Sequence, residues 1–124
     1  MAPGYHNRLW RSLKPHILAV NRFSKIAGRG KQKQNKAFDQ LGGGAKRKII
    51  NSTQKCVKFL LENGGSCPPS TRKSLLKQKT FFKEFTRCKQ LGKKCNLFRN
   101  QRGSGFFDLI GKGLSWLATN ILNT

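Results

Sequence analysis

Residues 103–124 carry the only sustained apolar run in the chain, and any fold must either bury that run or hand it to a partner. With Ser104 as N-cap, Phe106, Ile110, Leu114, Leu117 and Ile121 recur at helical spacings, and Phe107 and Leu122 widen the stripe. The stretch from Phe106 to Leu122 is at the short limit for crossing a bilayer and includes Asp108 and Lys112, so an interfacial or docked helix is favoured over a spanning one. Phe106, Phe107, Ile110, Leu114, Trp116, Leu117 and Ile121 form the candidate contact set for a partner protein or a membrane surface. A plain core helix is the competing reading; it is disfavoured by the shortage of other apolar surface and by glycines at 103, 105, 111 and 113.

The rest of the chain is strongly basic. With 26 Lys+Arg against 4 Asp+Glu, the net charge is +22. Self-repulsion opposes compaction and points to a polyanionic partner. At one phosphate per ~1.7 Å of duplex axis, that charge matches about 37 Å of DNA; RNA fits the same count. Four acidic residues leave little material for general acid-base work, and no nucleophile grouping or phosphate-cradling glycine loop is apparent, so no enzyme and no cofactor are expected. Cys56, Cys67, Cys88 and Cys95 lack metal-ligand spacing and lie far from His6 and His16, so no metal site is expected. The cysteines read as free thiols of a reducing compartment; a Cys88–Cys95 disulfide is an open alternative without support in the sequence.

Taken in order, residues 1–27 form a basic amphipathic segment with Leu9, Leu13, Ile17 and Val20 on one face, interrupted at Pro15. Such an acid-free N-terminus also admits an organellar transit peptide. Residues 28–48 read as a flexible basic linker of Gly, Gln, Lys and Asn. The clearest helix covers 45–62, with Ile49, Ile50, Thr53, Cys56, Val57, Leu60 and Leu61 on its apolar side and Asn63-Gly64-Gly65 as its stop. After Pro68-Pro69 a second helix is predicted to about Leu91, giving a helical hairpin over 45–91. Residues 92–102 read as a basic hinge. The fold class expected is therefore mainly α, a small helical hairpin plus a separate C-terminal amphipathic helix, with flexible basic linkers. Lys46, Arg47, Lys48, Lys55, Lys58, Arg72, Lys73, Lys77, Lys79, Lys83, Arg87, Lys89, Lys93, Lys94, Arg99 and Arg102 are the candidate nucleic-acid contacts, because only Glu84 lies near to balance the second half of them.

The order basic hairpin, basic hinge, apolar tail carries a resemblance. Ile49 to Leu61, the break Glu62-Asn-Gly-Gly, Leu75-Leu76-Lys77 and Gly103-Ser-Gly-Phe-Phe with the tail behind it resemble the small basic virion proteins of Polinton-type mobile elements and their adintovirus relatives. Those proteins are similar in turn to the adenovirus core protein called X or mu. The resemblance covers roughly 45–122 and is one of residue types, not of an invariant signature.

It implies a component of the virion interior, located at the host nucleus or assembly site during infection, that condenses double-stranded DNA and contacts the major capsid protein or another inner-capsid protein. An independent clue is the processing protease of adenovirus-like viruses, a candidate partner, which cuts at Met/Ile/Leu-x-Gly-Gly or at Met/Ile/Leu-x-Gly-x before Gly. Leu41-Gly-Gly-Gly44 before Ala45 and Ile26-Ala-Gly-Arg29 before Gly30 fit, making Gly44, Ala45, Arg29 and Gly30 the candidate cleavage residues; Leu109-Ile-Gly-Lys112 before Gly113 also fits. Segment 1–44 is then removable. The alternatives are a membrane-active minor capsid protein and a ribosomal or mitoribosomal RNA-binding protein.

Overall fold

The structure, a computed structural model, describes residues 3–101 and 105–120, with side chains apart from those of residues 3–7, 9, 101 and 120. The described residues are mainly helical, as the periodicity predicts. Seven helices occur in them: α1 (Pro3–Ala27), α2 (Lys31–Asp39), α3 (Gly43–Asn63), α4 (Pro69–Lys77), α5 (Lys79–Arg87), α6 (Leu91–Gln101) and α7 (Phe106–Asn120), with one 3₁₀ turn at Gly64–Ser66.

α3 is the central strut. Ile50, Cys56, Val57 and Leu60 are wholly buried on it, and Thr53 is accommodated by returning its hydroxyl to the Ile49 carbonyl at 2.7 Å. α1 packs along α3 and buries Leu13, Val20, Phe23 and Ala27, with Phe23 meeting Phe38 of α2 and Phe107 of α7. The helix runs through Pro15 instead of breaking there. A proline inside a helix forfeits one hydrogen bond, and the apolar contacts on both sides of Pro15 hold the two halves of α1 against the same neighbour.

Four other features differ from what the sequence pattern predicts. First, the tail is not separate: Phe106, Leu109, Ile110, Leu114 and Leu117 are buried, and α7 packs on α1, α3 and α4. Gly113 lets it approach, since a Cβ there would lie 2.6 Å from Leu60 Cδ2. The Trp116 indole donates to the Ser66 carbonyl at 2.7 Å. Ser104, Ile121 and Leu122 lie outside the described residues.

Second, most of 28–48 is helix. α2 is polar except at its inner face, where Phe38 stacks on Phe98 at 5.1 Å and meets Phe23 edge-on at 6.3 Å. Third, the hinge at 92–102 is largely α6, whose Leu97 and Phe98 are buried. The two helices secure each other: Lys31 and Asn35 of α2 donate to the Asn100 and Arg99 carbonyls at 2.9 and 3.1 Å, satisfying carbonyls in the last turn of α6. Arg99 pairs with Asp39 at 2.8 Å.

Fourth, the hairpin's second helix is two helices, because Gln78 leaves helical geometry at φ −105° and ψ 10°. That break lets α4 pack on α7 while α5 packs on α3. The Gln54 amide then donates to the Phe85 and Cys88 carbonyls at 2.7 and 3.0 Å, closing the end of α5.

The core at the meeting point of α1, α2, α5, α6 and α7 is a phenylalanine cluster. Phe106 lies 5.8 Å from both Phe81 and Phe82, 6.1 Å from Phe98 and 5.2 Å from Phe107. Such pairs contribute about 0.5–1.5 kcal/mol each beyond their area.

Candidate nucleic-acid interface

The apolar stripes turn inward, so the cations between them turn outward. On α3, Arg47, Lys48, Lys55 and Lys58 are exposed; on α4, Arg72, Lys73 and Lys77; on α5, Lys79, Lys83 and Arg87; Lys89 and Lys93 follow on the way into and along α6. Three of the predicted contacts have other work. Arg99 holds α6 to α2 through Asp39. The Lys46 ammonium lies 5.7 Å from the centre of the Phe38 ring, and Lys94 reaches Asn51 Oδ1 at 3.4 Å. Arg102 lies outside the described residues.

The fold adds exposed cations outside that set. Lys14, Arg22, Lys25, Arg29, Lys31, Lys33 and Lys36 from the N-terminal helices are also exposed, as is Lys112 of α7. Because α1 and α2 contribute to the core, residues 3–44 are structurally part of the body and not an appendage.

Between α1 and α3 runs a groove of about 570 Å³ lined by Pro15, His16, Lys48, Asn51, Ser52, Gln54, Lys55, Lys58 and Thr86. His16 Nδ1 and Ser52 Oγ share a hydrogen bond of 2.9 Å. Burial, and secondarily the neighbouring Lys55 ammonium, hold the His16 imidazole below the usual histidine range, so it is neutral at pH 7. Nothing in the sequence singles out His16; Ser52 and Lys55 become its neighbours only through packing.

The candidate cleavage residues fall in two settings. Arg29 and Gly30 occupy an exposed link where Gly28 and Gly30 take φ of 81° and 95°. Gly44 and Ala45 are exposed but lie in the first turn of α3. Gly113 is buried in α7 and offers a protease no access. Among the proposed capsid contacts, Phe106, Ile110, Leu114 and Leu117 are core residues and Phe107 and Trp116 are half-buried, because the chain's other helices supply the apolar surface that the sequence did not reveal.

No group of residues in the described chain can hold a metal ion, and no described helix is long and apolar enough to cross a membrane. The cysteines are free, and burial pushes the Cys56 thiol up to about 12. Comparison with known proteins finds no matching family model, curated protein or solved structure.

Proposed function

We propose that this protein is a non-enzymatic, phosphate-binding component of a virion that condenses a double-stranded DNA genome. The observation that carries the reading is a buried aromatic and aliphatic core enclosed by exposed Lys and Arg on every described helix, with a single ion pair, Arg99–Asp39, among the described residues. A shell of this kind lowers its self-repulsion by binding a polyanion, and release of the condensed counterions supplies the driving force. The cations lie on several helices and do not converge on one helix presenting Arg or Asn to base edges, so contacts go to phosphates and carry little sequence information. Cations on opposite faces of one body can bridge two duplex segments, which is the requirement for condensation.

The virion setting rests on the resemblance of 45–122 to basic core proteins. The apolar face of α7 is not offered as an anchor, because it is already covered by α1, α3 and α4. Two experiments test the function. Added to dilute linear duplex, the full chain should produce compact, light-scattering particles near charge equivalence. In an infected preparation it should sediment with genome-containing particles and be absent from empty ones. Equal amounts in both kinds of particle, or no condensation at any ratio, would reject the proposal.

A further inference from the structure

Several cation-lined grooves mark the surface, and the α1–α3 groove differs from the others in holding a histidine among its ammonium groups. Lys48, Lys55 and Lys58 follow one side of α3; at ~1.5 Å per residue they extend over about 15 Å. That length faces roughly four phosphates of one strand at about 3.4 Å of axis each. The groove is braced, not loose: Gln54 is committed to the end of α5 through both carbonyl contacts, and Asn51 accepts from Lys94. His16 is oriented by Ser52, which is 2% exposed, and with Nδ1 engaged there its Nε2 is the nitrogen left for a ligand.

We propose that the α1–α3 groove is a phosphate-backbone site for one nucleic-acid strand, in which His16 takes up a proton from solvent as the strand docks. The inference rests on the phosphate-binding function proposed above and assigns it a proton-linked site. The charged groups facing His16 in the groove are Lys48, Lys55 and Lys58 from α3; α5 presents Thr86, α2 and α7 contribute no lining residue, and no carboxylate lines it. In the free protein these ammonium groups oppose a further positive charge on the imidazole. A phosphodiester between them reverses the balance, so the imidazolium forms more readily in the complex than in the free chain. Binding and protonation are then linked: affinity rises as pH falls below the neutral range, while lysine and arginine charges stay constant.

The test is a salt titration of a 20-base-pair duplex by the full chain at pH 7.5 and pH 5.5, for the wild type and for His16→Gln, which retains hydrogen-bonding capacity toward Ser52. One added phosphate contact steepens the slope of log K against log salt by up to about 0.9. That steepening should appear in the wild type at pH 5.5 and be absent from His16→Gln. His6 is present in both, so its titration cancels in the comparison. The same pH effect in both proteins, or in neither, overturns the inference and leaves the proposed function standing if binding is tight; no binding at either pH sinks both. A second readout uses the wild type alone: the NMR titration midpoint of His16 should rise when duplex is added. An unchanged midpoint also overturns the proposal, whatever the variant does to folding.

Discussion

A chain starting at Ala45 loses α1 and α2, and with them Leu13, Val20, Phe23 and Phe38, each at most 6% exposed. Burying side chains of this size is worth about 1.5–3 kcal/mol each, so the four together contribute roughly 6–12 kcal/mol. That range overlaps the whole net stability of a small domain, about 5–15 kcal/mol. The loss also uncovers Phe98, which stacks on Phe38, and removes Lys31 and Asn35 from the end of α6. The 45–124 chain should therefore show no cooperative thermal transition by circular dichroism and a collapsed amide proton spectrum, and peptide 1–44 added in trans should restore part of the transition. A cooperative melt within about 10 °C of the full chain would refute this, since a 2–3 kcal/mol deficit already shifts a domain of this size by about that much. The result also bears on maturation. A cut before Gly30 severs an exposed link and leaves both fragments able to stay packed; release of 1–44 at Gly44 dismantles the core.

Three further outcomes follow from burial and charge. Leu117→Ala should cost about 2–5 kcal/mol in a denaturant melt, whereas Leu76→Ala, at a residue 66% exposed, should change stability by no more than about 0.5 kcal/mol; equal small effects would mean that α7 is a free arm. The Cys56 thiol, raised to about 12 by burial, has a thiolate fraction of about one in ten thousand at pH 8, so a chromogenic disulfide should label it only on unfolding, and rapid native labelling would contradict its placement. For the free chain, His16 binds a proton less readily folded than unfolded; its contribution to stability is complete above the ordinary histidine value of 6.5 and is lost as pH falls through the lower folded value. Melting temperature should accordingly decline toward pH 5 more in the wild type than in His16→Gln, and parallel declines would contradict that sign.

The readable parts of this fold were those whose apolar spacing is local and dense. The stripe of α7, the inner face of α3 and the Leu13–Ile17–Val20 face of α1 all lie where helical periodicity puts them. α2 was not readable, because it offers Phe38 and little else; short helices gain their stability from tertiary packing, and here the packing partner is Phe98, sixty residues away in sequence. α6 did carry a signal in Leu91, Cys95 and Phe98 at spacings of four and three, but the surrounding lysines and glycine masked it. No local cue marks the break at Gln78, since Lys-Gln-Lys favours helix; it follows from the different partners of α4 and α5. The packing of α7 is not legible in the sequence for a related reason: the apolar surface that receives it is assembled from several helices, none conspicuous alone. At the interface, counting lysines located the cations, while separating Arg99 from its exposed neighbours required Asp39 to be brought beside it.

The most direct test of the central claim, a sequence-indifferent phosphate interface formed by the cationic shell, is the salt dependence of binding to two unrelated duplexes of equal length. The slope should be near −0.9 per phosphate contacted, the two dissociation constants should agree within about threefold, and replacing the exposed Lys73, Lys77 and Lys83 by Gln should flatten the slope by up to about 2.7. A preference beyond about tenfold for one duplex, or an affinity nearly independent of salt, would contradict the account.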